Sequence, residues 1–77
     1  MKKSEFFAEI AEILGVSVED VIEDASLEAL GWDSLANVAF LGFVDEKLNL
    51  AVSPKSISAC IFVRDLVSLL GVGIDTE

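Results

Sequence analysis

Apolar residues recur at three- and four-residue spacing over several stretches of the chain, and the interruptions between them mark out its elements. The first stretch holds Phe6, Phe7, Ile10, Ile13 and Leu14 on one side and Glu5, Glu9 and Glu12 on the other, which predicts an amphipathic helix over 4–14. Gly15 follows where a left-handed cap closes a helix, and Glu5 places negative charge in the first turn, the end that the helix dipole makes positive. The acidic flank reads as a solvated face opposite the core.

From Val16 to Gly31 no helical period holds. Val16, Val18, Val21, Ile22, Leu27 and Leu30 are spaced among Glu19, Asp20, Glu23, Asp24 and Glu28, a pattern that predicts a long connection pinned at intervals to the core. Ser17 and Ser26 are of the type that caps one-turn helices. A second helix is predicted over 34–48, with Asn37, Phe40, Leu41, Val44 and Leu48 as its inward stripe. Leu35, Ala39, Gly42 and Glu46 form another line along the same helix. Gly42 costs about 1 kcal/mol relative to alanine inside a helix, so either close approach by another surface or relaxed sequence accounts for it.

Ser53-Pro54 reads as an N-cap followed by proline at the first helical position, opening a short helix over 54–59. Val63, Leu66, Val67, Leu69 and Leu70 predict a fourth helix over 63–70 that Gly71 ends, with 73–77 as a frayed tail. The run 57–63 has the β-branched and aromatic content of a strand but no convincing partner strand, so the helical reading stands. The prediction is an all-α four-helix bundle, a single domain over 1–77, with a long first loop and a short third helix.

Composition narrows the function. A formal charge of −9 with only five Lys and Arg argues against nucleic-acid binding and points to basic partner surfaces. One cysteine, Cys60, excludes an internal disulfide. No apolar leader follows Met1-Lys2-Lys3, and the apolar run from Leu35 to Val44 is about half the ~20 residues of a membrane span. A soluble, cytoplasmic monomer is the expectation. With no histidine in the chain, a Ser-His-Asp arrangement is excluded, and neither a zinc site nor a calcium loop is spelled out.

What remains is Leu30-Gly31-Trp32-Asp33-Ser34-Leu35. Asp33 is a preferred N-cap, which sets Ser34 in the first turn of the second helix, outside the core. An anion attached to that serine would meet the unpaired N–H groups and the positive end of the dipole. Ser34 therefore reads as a place of attachment rather than a nucleophile.

This stretch resembles the Leu-Gly-x-Asp-Ser-Leu attachment site of the acyl carrier proteins. The resemblance extends over nearly the whole chain, through Leu14-Gly15-Val16, Glu23-Asp24-Ala25-Ser26-Leu27 and Val63. It implies a 4'-phosphopantetheine arm on Ser34, with Asp33 helping to present the serine to a phosphopantetheinyl transferase. It implies a non-catalytic carrier that holds acyl groups as thioesters for acyl-transferring, condensing or acyl-activating enzymes of fatty-acid, polyketide or specialised lipid synthesis. Peptidyl carriers share the attachment chemistry but often have glycine where Trp32 stands, and a helical interaction protein without cofactor is the remaining alternative.

A chain held between the helices would be lined by Phe40, Val44, Leu48, Ile57, Cys60, Leu66 and Leu69, most of which also read as ordinary core. Cys60 reads as a core thiol rather than an acyl acceptor. Two departures from the family pattern stand out. Ala36, Ala39 and Gly42 occupy surface positions where acidic or larger residues are usual. That makes Leu35, Ala39, Gly42 and Glu46 the expected docking stripe, with charge from the preceding loop. Ile61-Phe62 replaces polar capping residues, and extends an apolar patch near the arm or packs under the long loop.

Overall fold

The computed structural model describes residues 1–75, residue 72 in its backbone alone. Four helices form, α1 Lys3–Leu14, α2 Ser34–Phe43, α3 Pro54–Ser58 and α4 Val63–Leu70, with no named strand among the described residues. The all-α class, the long first loop and the short third helix are as the periodicity predicts.

The helices close around an aromatic centre. Phe6 of α1 and Phe40 of α2 are wholly inaccessible, with ring centroids 6.1 Å apart in an edge-on arrangement. Phe43 lies 6.1 Å from Phe6 and 6.0 Å from Phe40. Ile10, Val44, Ile57, Val63 and Leu66 pack around them in the interior. Large rings fill the space between α1 and α2 at little rotamer cost, which matters in a domain this small.

Helix α1 ends as expected. Gly15 takes φ 68°, and its N–H reaches back to the carbonyls of Ala11 and Glu12. The long loop is pinned by Val21 and Leu27, both buried, and by the half-buried Val16 and Leu30. Val18 and Ile22, also expected as anchors, are exposed instead. Val18 belongs to a 3₁₀ turn, Val18–Asp20, capped by the Ser17 hydroxyl, and Ile22 directly follows the inward Val21. Ser26 caps a turn rather than a helix, accepting the Ala29 N–H at 3.3 Å. Ser53 accepts the Lys55 N–H at 3.1 Å and Pro54 opens α3, as predicted.

Helix α2 is shorter than the predicted 34–48. Its regular turns stop at Phe43, and one π turn, Val44–Leu48, continues the path until Asn49 closes it at φ 54°. The wider turn lets the Asn49 N–H reach the Val44 carbonyl. The inward stripe is also rotated from the prediction. Ala36, Phe40, Phe43 and Val44 are buried, while Asn37, Leu41 and Leu48 are half-buried. Ala36 is thus a core residue rather than a surface one, because the bulk of Phe43 draws its own side of the helix inward.

The segment leading into α4 is extended. Residues 57–58 belong to α3, but Ser26 and Phe62 form an isolated antiparallel bridge, and the Leu27 N–H bonds the Ile61 carbonyl at 2.9 Å. Phe62 is half-buried against this loop, whereas Ile61 is exposed. Asp65 replaces the missing polar cap by accepting the N–H groups of Ile61 at 3.0 Å and Phe62 at 2.9 Å. Those two bonds hold its carboxyl below the ordinary aspartate range, the Phe62 bond contributing most. A folded-state pKa lowered in this way adds stability that is complete above the unfolded value and is lost as pH falls through the folded one. Stability of the wild type should therefore fall below about pH 4 more steeply than that of Asp65→Asn. Urea midpoints measured across that range check it.

The expected frayed tail is docked. Ile74 is buried, and Asp75 pairs with Lys2 in a parallel bridge, its N–H meeting the Met1 carbonyl at 2.7 Å. An apolar side chain with a place in the core outweighs the looseness that two glycines imply. Residues 76–77 of the predicted tail lie outside the described residues.

Candidate functional site

The turn before α2 is built from backbone bonds. Leu30 N–H meets the Ser26 carbonyl at 3.1 Å, Gly31 meets Glu28 at 3.0 Å and Trp32 meets Leu27 at 2.9 Å. Gly31 takes φ 94°, a conformation that a side chain would strain. Because Leu27 is itself buried and bonded to the Ile61 carbonyl, the turn is tied both to the core and to the approach to α4.

Asp33 then caps α2. Its backbone is extended, its Oδ1 accepts the Ala36 N–H at 3.0 Å, and its carbonyl accepts the Asn37 N–H at 3.0 Å. Ser34 is the first helical residue and is exposed, as is Asp33. The N–H groups of Ser34 and Leu35 lie in the turn that lacks intrahelical acceptors, and no acidic residue stands in that turn. A hydroxyl open to solvent, beside unpaired donors at the positive end of a helix, suits an attached phosphodiester.

Trp32 and Asn37 form a pair that periodicity alone does not reveal. The indole Nε1–H donates to Asn37 Oδ1 at 2.5 Å, and the ring lies edge-on to Phe40 with centroids 5.5 Å apart. One residue before the cap is thus clipped to the second turn of α2, flanking Asp33 and Ser34 on both sides. Asn37 belongs to this clip rather than to the inward stripe. Asn37→Ala leaves a half-buried indole N–H without its acceptor, an expected loss of about 1–2 kcal/mol. Because Trp32 is the chain's single tryptophan, its emission should move to the red in that variant and stay in place in Asn37→Asp.

Leu35, Ala39, Gly42 and Glu46 are all exposed, Leu35 at 78%. Val38, one turn beyond Leu35, is 69% exposed and adds an apolar position that the stripe as read from sequence omits. Of the residues expected around a chain cavity, Phe40, Val44, Ile57 and Leu66 lie in the packed core, and Leu48, Cys60 and Leu69 pack partly buried against it. A groove of about 370 Å³ lies elsewhere, between α1 and α2, lined by Glu9, Glu12, Ile13, Ala39, Gly42, Phe43, Glu46 and Lys47. None of the seven expected cavity residues lines it. Burial first, and then the negative charge of Asp65, pushes the Cys60 thiol up, and its Sγ–H faces the Ser56 carbonyl at 3.5 Å. Such a thiol is a poor nucleophile at neutral pH.

Comparison with known proteins agrees with this geometry. Residues 5–70 match the phosphopantetheine attachment site family. The chain belongs to this family of acyl carrier type. A domain of this family is the attachment site of the 4'-phosphopantetheine prosthetic group and is not itself catalytic. The carrier is 41% identical over 58 residues to the non-reducing polyketide synthase UstP of Ustilaginoidea virens, covering 75% of the chain. It is 35% identical over 63 residues to the conidial pigment polyketide synthase PfmaE of Pestalotiopsis fici, covering 82% of the chain. The matched part is 3% of each synthase, so these relatives are far longer than the carrier. No helix among the described residues of the carrier is long and apolar enough to cross a membrane.

Proposed function

We propose that the domain carries acyl intermediates of polyketide assembly as thioesters on a 4'-phosphopantetheine arm joined to Ser34. The observation that carries this reading is the exposed Ser34 hydroxyl at the capped start of α2, inside the region matched to the attachment family. The similarity to two polyketide synthases favours polyketide over fatty-acid cargo. The arm supplies a terminal thiol on which acyl groups ride.

The residues of the chain do the holding and presenting. Ser34 Oγ bears the phosphodiester, and the first N–H groups of α2 face its charge. Asp33 fixes the helix start, and the Trp32–Asn37 clip keeps the preceding turn from moving across it. A phosphopantetheinyl transferase installs the arm, and acyl-transferring and condensing enzymes then meet the domain along the exposed Leu35, Ala39, Gly42 and Glu46 side of α2. The domain serves them as a monomer.

Incubation of the unmodified chain with a phosphopantetheinyl transferase and coenzyme A should add the mass of one arm, which fragmentation localises to Ser34. No gain in mass ends the carrier reading, and an adduct at another residue ends the Ser34 assignment. The loaded domain should pass acyl groups to the condensing domain of a non-reducing polyketide synthase faster than to a fatty-acid condensing enzyme. The opposite order overturns the choice of cargo.

A further inference from the structure

The N–H groups that Asp65 accepts belong to a segment that does more than precede α4. Phe62 N–H and Ile61 C=O are the two ends of one planar peptide group, so the carboxylate that fixes the N–H at 2.9 Å also sets the direction of the carbonyl. That carbonyl accepts the Leu27 N–H at 2.9 Å, and the Leu27 carbonyl accepts the Trp32 N–H at 2.9 Å. Trp32 in turn donates its indole N–H to Asn37 Oδ1, across Asp33 and Ser34. A line of hydrogen bonds thus runs from the first turn of α4 to the start of α2, through residues that lie far apart in the sequence.

Neighbouring contacts hold this line in register. The N–H groups of Val63 and Arg64 bond the carbonyls of Ala25 and Glu23 at 3.0 Å. The Arg64 side chain reaches Asp24 at 2.5 Å, and its guanidinium stands 4.3 Å from the centre of the Phe62 ring. Lys3 ties Glu23 to α1. All of these anchor the loop upstream of Leu27. The link that continues to the attachment turn is the Ile61–Leu27 bond, and Asp65 is the side chain that orients it.

We propose that Asp65 is a positioning residue for modification of Ser34, holding the attachment turn, through Ile61, Leu27 and Trp32, in the form that a phosphopantetheinyl transferase accepts. A bond from N–H to a carboxylate is stronger than one between neutral groups, and successive hydrogen bonds polarise one another. Without the carboxylate the 61–62 peptide turns towards water, and the Leu27 N–H loses a fixed acceptor. The turn has little stiffness of its own to offset this, because Gly31, at φ 94°, lies between Leu27 and the cap and its backbone rotates freely. The inference rests on the carrier reading, since the reaction that Asp65 serves is attachment of the arm, but the line itself is measured without a transferase.

The test begins with loading by a phosphopantetheinyl transferase and coenzyme A, followed by intact mass. Asp65→Ala should load about five- to tenfold more slowly than the wild type and still reach completion. Asp65→Asn keeps an oxygen for both N–H groups and loses only the charge, so it should load at close to the wild-type rate. Asn37→Ala cuts the far end of the line, and adding Asp65→Ala to it should slow loading by less than about a further twofold, because the turn is already released. In the isotopically labelled, unmodified chain, Asp65→Ala should speed amide exchange at Leu27 and Trp32 by more than about tenfold and leave Ile10 of α1 nearly unchanged, a local release rather than a general loss of stability. If the alanine variant does not fold, Asp65→Ser, whose shorter hydroxyl satisfies at most one of the two N–H groups, should show the same pattern at smaller amplitude. Loading of Asp65→Asn as slow as that of Asp65→Ala would assign the residue to a direct charge contact with the transferase. Multiplying effects of Asp65→Ala and Asn37→Ala, or equal acceleration of exchange at Leu27, Trp32 and Ile10, would reduce Asp65 to a stabilising cap. Each of these results overturns the proposal. No loading of the wild type ends the carrier reading and the proposal with it, whereas equally fast loading of the wild type and Asp65→Ala ends the proposal alone.

Discussion

Phe40→Ala should destabilise the domain by about 3–5 kcal/mol, enough to remove most of the stability that a chain of this size possesses. The side chain is fully inaccessible, and its ring touches three others, Phe6, Phe43 and Trp32. Truncation deletes the transfer free energy of the ring and leaves a hole bordered by those three rigid rings, which collapse into it poorly. The loss also reaches the attachment turn, because Trp32 rests edge-on against Phe40. Urea unfolding followed by circular dichroism measures the first effect, and a red shift of Trp32 emission in the folded fraction reports the second. Phe7→Ala supplies the comparison. Phe7 is half-buried and its ring meets Phe6 at 6.4 Å, so its loss should cost clearly less. Equal destabilisation by the two substitutions would show that the aromatic centre is not organised around Phe40.

The same ring explains what could and could not be read from the chain. Helices α1, α3 and α4 are legible because their signals are local. An apolar stripe, Gly15 at a left-handed cap and Ser53-Pro54 at a helix start each act within a few residues. The end of α2 is not local in this sense. Phe43 and Val44 are adjacent and both buried, a demand made by α1 through Phe6, and the chain meets it by widening into a π turn that a regular period does not foresee. Burial of Ala36 follows from the same rotation. The docked tail depends on a bridge between Lys2 and Asp75, residues at opposite ends of the chain.

Legibility of the site divides along similar lines. Asp33 as cap and Ser34 as the exposed first residue are written in adjacent positions, and the structure has them so. The Trp32–Asn37 clip was within reach, since five residues across a helix start bring an indole N–H and an amide oxygen together, but it requires knowing which way the tryptophan turns. Glu9 and Glu12 next to Ala39 and Gly42 could not be foreseen, because the pairing of α1 with α2 is set by the aromatic centre and not by either helix alone.

Ser34→Ala should abolish loading of the arm completely while leaving the fold intact. The serine is exposed, makes no side-chain hydrogen bond among the described residues, and stands at the first position of α2, where alanine is tolerated. Its removal should change unfolding free energy by less than about 0.5 kcal/mol, the usual range for surface substitutions. The chemistry has no such tolerance, since the phosphodiester needs the Ser34 oxygen and no other group in the turn offers one. Asp33→Ala separates presentation from attachment. It removes the cap on the Ala36 N–H, an expected cost of about 1 kcal/mol, and frays the turn in which Ser34 is offered. Loading of Asp33→Ala should therefore be slowed but reach completion, whereas Ser34→Ala should show no added mass at any time. Asp33→Asn, which keeps a capping oxygen but loses the charge, distinguishes the two contributions of Asp33: recovery of both stability and rate assigns its role to the cap, while recovery of stability alone assigns the rate to its charge at the transferase.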